Sequence, residues 1–330
     1  MSVRVVLDLV EAVARVPYGG TLTVPAETNE VARTAARWCE QAGHTFVSWY
    51  GDHVEVRRGV GRDPFADLPD DKRPGRRLWL YTNFDCNLAC GYCCVSSSPR
   101  TPRRALGIDL VRRIAAEAPS VGARELFITG GEPFMLPDIA EILTLCSRTL
   151  PTVVLTNGTL FRGPRLALLD SLPRHQLALQ VSLDSATPSL HDRQRGEGTH
   201  GRALAGIETA LRLGFRVRVA ATVASGQAEE ERALHHLCDA LGVVPVDRVI
   251  RRIARQGAAE DGLIVTRESL VPEVCLTADG VYWHPVAATD PTMLVTPRVL
   301  PLAAAVAAVT VEFADYRRRA GEVALSFPCA

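Results

Sequence analysis

Apolar residues along this chain recur in two different periods, and the changes of period mark out its elements. Runs rich in Val, Ile and Leu at Leu78 to Asn83, Glu125 to Thr129, Thr152 to Asn157, Leu177 to Leu183, Phe215 to Val223 and Val246 to Ile250 predict strands. The stretches between them suit helices of about ten to fifteen residues. Strand-helix alternation of this kind gives βαβ units and a parallel sheet, because parallel neighbours need a crossover. Six such strands predict an α/β fold built as an open, partial (βα)6 barrel in preference to a closed one of eight strands.

Before residue 61 the pattern differs. An apolar run at Val3 to Leu7 predicts a strand, Leu9 to Val16 a short helix, Thr21 to Val24 a strand and Asn29 to Ala42 a longer helix. Strands at His44 to Trp49 and His53 to Arg57 then flank a Gly-Asp turn, which makes residues 1–60 a small βαβαββ domain of α+β type. Residues 61–77 hold three prolines and many charges with no periodicity, as a linker does. The barrel is then expected over 78–255. A hairpin from Val274 to Trp283, with an Asp-Gly turn, belongs to a short α+β extension over 256–330.

At 330 residues and 47 % apolar content the chain can bury a large core, and its 37 basic residues balance 37 acidic ones. Zero net charge gives no global field for nucleic acid or a membrane surface. The basic stretch from Arg100 to Arg113 reads as a solvated face. No apolar run reaches membrane-spanning length, and the first residues lack the pattern of a secretion signal, so the expected location is the cytoplasm. Nine cysteines, three of them clustered, suit a reducing compartment and metal ligation better than a disulfide framework.

Those three are Cys86, Cys90 and Cys93, in the run Asp-Cys-Asn-Leu-Ala-Cys-Gly-Tyr-Cys. Three thiolates on one short loop can hold three corners of a single 4Fe-4S cube and leave the fourth iron open for a ligand. Structural zinc is the rival, but zinc sites draw on two Cys pairs or a Cys/His partner run, and no second knuckle lies nearby.

This run resembles the signature of the radical S-adenosylmethionine (radical SAM, AdoMet) enzymes. The resemblance implies that the open iron chelates the amino and carboxylate groups of AdoMet, and that one electron then releases a 5'-deoxyadenosyl radical that takes hydrogen from a substrate. The electron would come from a donor such as flavodoxin or ferredoxin. The family's (βα)6 core agrees with the strand pattern. Its ligands gather on the loops after strand C-termini, where the cysteine loop falls.

Other residues match by position. Tyr92 stands where the family sets an aromatic against the adenine ring. Gly130, Gly131 and Glu132, in Thr-Gly-Gly-Glu-Pro, resemble the segment that holds the amino group of AdoMet. The two glycines would let backbone approach a ligand, and Glu132 would accept from the ammonium. Asn157 after strand three, and Ser182 and Asp184 after strand four, match contacts to the ribose and the methionine end. Arg195 matches the arginine that pairs with the carboxylate, with Arg193 as the competing choice. His191 reads as structural.

At the two ends of the chain the resemblances are to smaller modules. The first 60 residues resemble sulfur carriers of the TusA type but lack their Cys-Pro-x-Pro motif, and the first cysteine is Cys39 on the second helix. A docking or structural role follows. The C-terminal hairpin resembles the entry to auxiliary-cluster domains of the SPASM and twitch kind, yet His284-Pro285 stands where a cysteine usually follows. Only Cys275 and Cys329 remain as thiolates, two where a further cluster wants three or four, so the extension reads as degenerate. With no second cluster to take back an electron, redox-neutral outcomes are favoured: dehydration, epimerisation, rearrangement or decarboxylation. Cys94, Cys275 and Cys329 are then the candidate hydrogen donors to a substrate radical.

A small polar metabolite is the favoured substrate, such as a sugar, nucleoside or amino acid derivative. The alternatives are a maturase acting on a ribosomally made peptide and a non-radical iron-sulfur or sulfur-handling module. The last leaves Gly-Gly-Glu-Pro and Arg195 without a role.

Overall fold

The structure, a computed structural model, describes residues 2–59, 63–224, 226 and 228–326. The chain divides into two units: one holds the residues up to Pro69 together with those from Val311, and the other runs from Asp70 to Thr310. One division point, after Pro69, lies within the stretch expected as a linker, and the other, after Thr310, lies within the stretch expected as a single extension over 256–330.

In the first unit α1 (Ser2–Ala14), β1 (Thr21–Pro25), α2 (Asn29–Ala42), β2 (Thr45–Trp49) and β3 (His53–Arg57) form an antiparallel sheet of order β1-β3-β2 with two helices. The order is αβαββ, which corrects the expected βαβαββ. Val5, Leu9 and Val13 are buried at a spacing of four while Leu7 is exposed, a helical period that continues through the segment expected as a strand. With Ala35, Trp38 and Cys39 of α2 and Val54 and Val56 of β3 they make this unit's core. Thr28 caps α2 by accepting from the Val31 N–H at 3.3 Å, and Gly43 ends it at φ +74°, a conformation that favours glycine.

The second unit contains the predicted strands in parallel array. They are β4 (Arg77–Tyr81), β5 (Glu125–Thr129), β6 (Thr152–Thr156), β7 (Leu177–Ser182), β8 (Arg216–Val223) and β9 (Arg248–Arg252), each paired parallel with the next. Connections run through α3 (Ile108–Glu117), α4 (Ile139–Thr149), α5 (Pro164–Ser171), α6 (Pro188–Arg195) with α7 (Thr199–Arg212), and α8 (Ala228–Ala240). One face of the strands is largely apolar and buried, with Leu78, Leu80, Leu126, Ile128, Val154 and Leu179 inside. The other face carries Trp79, Tyr81, Phe127, Thr129, Gln180 and Arg218 into a cavity. Cys146 in α4 and Cys238 in α8 are buried, as core residues of their helices.

The C-terminal hairpin joins this same sheet. β10 (Cys275–Thr277) pairs parallel with β4, then antiparallel with β11 (Gly280–Tyr282), which pairs with β12 (Leu294–Thr296). The sheet of nine strands has the order β12-β11-β10-β4-β5-β6-β7-β8-β9. Ala278 and Asp279 form the turn, and Gly280 opens β11 at φ +138°, where a Cβ would fall 2.5 Å from the Thr296 carbonyl oxygen. The last helix, α9 (Leu302–Ser326), begins in this unit and ends in the first. No helix among the described residues is long and apolar enough to cross a membrane.

Candidate active site

A cavity of about 730 Å³ runs along the inner face of the parallel strands to their C-terminal ends. The loop after β4 contributes Cys86, Cys90, Cys93 and Cys94 to its wall; Gly130 and Gly131 follow β5, and Asn157 follows β6. Ser182 ends β7 and Arg195 ends α6. Residues far apart in sequence are thus brought together because each βα loop emerges on the same edge of the sheet.

The Cys86 sulfur accepts the Leu88 N–H at 3.4 Å and the Cys93 sulfur accepts the Ser97 N–H at 3.2 Å. Burial pushes the Cys86 thiol up to about 12, with the Glu132 carboxylate and the other two thiols adding to it. Cys90 is also raised by burial, against the pull of the Arg195 charge. The thiols are therefore close enough to oppose one another's ionisation, the situation that bound iron relieves. Among the described residues no three His, Cys, Asp or Glu side chains converge on one ion position.

The Gly-Gly-Glu segment braces the cysteine loop. Gly131 N donates to Asn83 O and Glu132 N to Asp85 O, both at 3.0 Å. A Cβ on Gly130 would stand 2.5 Å from the Asn83 carbonyl oxygen, and one on Gly131 would stand 2.2 Å from that of Asp85. The close approach that these glycines permit is to the chain entering Cys86. Glu132 is fully buried, and its carboxylate accepts from Phe134 N at 3.0 Å, Thr156 Oγ1 at 2.8 Å and Asn157 N at 2.8 Å. It fastens the loop after β5 to the end of β6. Burial raises its pKa to about 7, against those three hydrogen bonds.

Asp184 organises the opposite wall. Its carboxylate takes Arg195 Nε at 2.6 Å, Arg195 Nη2 at 3.2 Å, Thr222 N at 3.0 Å and the Tyr92 hydroxyl. Burial would raise its pKa, but the Arg195 charge and these hydrogen bonds outweigh it and hold the group below the usual carboxylate value. The Arg195 guanidinium also lies 5.4 Å from the centre of the Tyr92 ring. Tyr92 and Arg195 thus reach the cavity as a clamped pair, and Asp184 is the clamp. His191 is buried and accepts the Asp184 N–H at 3.2 Å, the structural part expected of it.

Cys94 faces the cavity beside Tyr81, whose hydroxyl it meets, and Cys275 lies behind them in β10. Burial pushes the Cys94 thiol up to about 11. Cys329 lies outside the described residues. His284 starts a short turn, its Nδ1 accepting the Val286 N–H at 3.1 Å, so the neutral ring carries its proton on Nε2 within the cavity wall. Burial holds its pKa down to about 4.

Two supports were missed from sequence. Asn87 accepts from Asn157 Nδ2 at 2.8 Å and donates to Thr159 Oγ1 at 3.0 Å, tying the cysteine loop to β6. The loop after β9 lies on the cysteine loop, with Ala258 N donating to Cys93 O at 2.8 Å, and a Cβ on Gly257 would meet that oxygen at 2.4 Å. A motif search along the chain passes over both, since neither Asn nor Gly carries the chemistry.

A family model described as the radical SAM superfamily matches residues 80–238. The chain carries a radical SAM domain. The matched stretch takes in the cysteine loop, Gly-Gly-Glu-Pro, Asn157, Asp184 and Arg195. The cofactors of this superfamily are a 4Fe-4S cluster and AdoMet, and the thiol set described above fits the first. The AdoMet-dependent heme synthase of Methanosarcina barkeri is 34 % identical over 161 residues, covering 48 % of this chain and 46 % of that protein. AlbA, the antilisterial bacteriocin subtilosin biosynthesis protein of Bacillus subtilis, is 36 % identical over 143 residues, 42 % of this chain and 31 % of AlbA. The structure of native anSMEcpe with bound AdoMet and a Kp18Cys peptide superposes with a TM-score of 0.55 at 12 % identity, over 73 % of this chain and 84 % of that one. That likeness is one of fold. The chain spans about half or less of the length of these two curated relatives of its radical SAM domain.

Proposed function

We propose that the chain is a radical SAM enzyme in which Cys86, Cys90 and Cys93 hold the cluster and the far wall of the same cavity holds AdoMet. The observation that carries this reading is the meeting of those thiols with Gly130, Asn157, Ser182 and Arg195 around one cavity at the ends of parallel strands. When bound, the cluster and AdoMet supply a 5'-deoxyadenosyl radical that removes hydrogen from an unactivated carbon. The protein's own part is to orient and to exclude water. Asp184 fixes Arg195 and Tyr92, leaving Arg195 Nη1 for an AdoMet carboxylate, and Glu132 fixes the loops on which the amino group would rest. The six parallel strands serve as a partial barrel around this chemistry, between an N-terminal docking module and a degenerate twitch-like extension.

The favoured substrate is a small polar metabolite and the favoured outcome redox-neutral. Of the cysteines after the triplet, Cys146 and Cys238 are buried in helices, and Cys275 is sealed in β10, which leaves too few thiols for an auxiliary cluster. Cys94, which alone of the three candidate donors faces the cavity among the described residues, is the best placed to return a hydrogen atom. A second reading, maturation of a peptide, draws on the similarity to AlbA. With the true substrate deuterated at the reacting carbon, label passes into 5'-deoxyadenosine or returns to product. Turnover with no label passing through the deoxyadenosyl group, or products that are all two electrons more oxidised, would overturn the proposal.

A further inference from the structure

Among the described residues, two arginines on the cavity wall have no ion pair. Arg77 lies 2.7 Å from Asp71, Arg195 is clamped by Asp184, and Arg252 pairs with Glu231. Arg218 has no such partner among the described residues, and its Nε is buried without an acceptor. The carboxylates around it are already taken: Glu125 by Arg77 at 3.5 Å, and Asp247 by Arg216 at 2.6 Å. Burial pulls the Arg218 pKa down, Arg216 and Arg77 adding to that pull against the attraction of Glu125 and Asp247. Its guanidinium lies 5.8 Å from the Phe127 ring centre, a contact that leaves the hydrogen-bonding fork unused. Arg251 lines the same cavity and also has no hydrogen bond or ion pair among the described residues.

A buried guanidinium N–H with no acceptor is unfavourable, and an oxyanion is the group that relieves it. The AdoMet carboxylate is not that group, because Arg195 stands at the other level of the wall. Asp184, which holds Arg195, is bonded to Thr222 N, and Arg218 precedes Thr222 by four residues, about 13 Å along β8. Arg251 is level with Thr222 in β9, so the two arginines mark both levels of the cavity.

Building on the proposed radical SAM reading, we infer that the substrate carries an oxyanion group, a carboxylate or a phosphate, and that Arg218 binds it. The fork geometry of arginine suits either group.

The test titrates inorganic pyrophosphate, and separately glutarate, into anaerobically reconstituted, AdoMet-saturated protein by calorimetry. At least one anion should bind saturably, more weakly as salt is raised, and about tenfold more weakly in Arg218→Gln, with partial recovery in Arg218→Lys. Pyrophosphate alone binding points to a phosphate substrate, and glutarate alone to a carboxylate one; both support the inference. Iron content and melting temperature control for folding, and Arg218→Lys carries the test if Arg218→Gln does not fold. Absence of binding by both anions, or equal affinity in wild type and variants, overturns the inference. Formation of 5'-deoxyadenosine by the wild type is scored separately, so failure of anion binding and failure of the radical reading are told apart.

Discussion

Asp184→Ala tests the clamp that presents Arg195 and Tyr92. The carboxylate is 5 % exposed and its arginine partner 10 %, so the pair sits largely out of water. Removing one member of such a pair costs about 3–5 kcal/mol, because the other charge stays buried without compensation. Arg195 borders the cavity and can recover some hydration there, which places the expected loss near the lower end, about 3 kcal/mol. The pH dependence has a definite sign. Asp184 has a depressed folded-state pKa, so its stabilisation is present above the unfolded carboxylate value of about 4 and is lost as pH falls through the lower folded value. Chemical unfolding of wild type and variant, followed by circular dichroism at pH 7, 5 and 3, should show a gap that holds from 7 to 5 and shrinks at 3. AdoMet affinity, measured at pH 7, should fall by about tenfold or more as Arg195 and Tyr92 lose their fixed positions. A stability gap under about 1 kcal/mol at pH 7, or one that does not narrow in acid, would refute the reasoning.

Other perturbations probe the rest of the account. Gly131→Ala drives a Cβ to 2.2 Å from the Asp85 carbonyl oxygen, and should lower stability by about 1–3 kcal/mol and reduce iron retention; unchanged iron content after reconstitution speaks against the brace. Glu132, with its pKa raised to about 7 from 4.5, keeps a proton in the folded state that the unfolded chain releases, so stability should fall as pH rises through that interval, by up to about 3 kcal/mol. Glu132→Gln should flatten that dependence in the metal-free protein, and an unaltered pH profile contradicts it. Cys39 lies in the first unit's core with burial pushing its thiol up to about 12, so Cys39→Ser should leave turnover within a few-fold of wild type. Persulfide on Cys39, with activity lost in the variant, would restore a sulfur-carrier role.

Much of the second unit could be read in advance, for a physical reason. Strands buried in a parallel sheet are nearly continuous apolar runs, so β5 and β6 stand out between polar helical faces. The cysteine loop was legible because its chemistry depends on residue type and spacing within eight residues. The strand expected at Val3–Leu7 failed because so short an apolar run fits either period, and only its continuation to Leu9 and Val13 identifies the helix. The roles of Glu132 and Asp184 were hidden differently. Both were singled out as cofactor contacts, yet the carboxylates hold backbone and side chains across loops that meet only in the folded chain. Arg218 carries a local trace in the alternation Arg-Val-Arg-Val of β8, which turns it toward the cavity, but its lack of a partner depends on where Arg77 and Arg216 place their own carboxylates. The pairing of β10 with β4 joins segments nearly two hundred residues apart, beyond any local signal.

The central claim is that Cys86, Cys90 and Cys93 together hold the cluster on which AdoMet is cleaved. Anaerobically reconstituted protein, given AdoMet and a low-potential reductant such as dithionite, should form 5'-deoxyadenosine only when the reductant is present. Variants in which all three cysteines are replaced by Ala should form none above the protein-free background. Cleavage that survives the triple replacement, or wild-type protein that binds four irons yet never yields 5'-deoxyadenosine, would contradict the account.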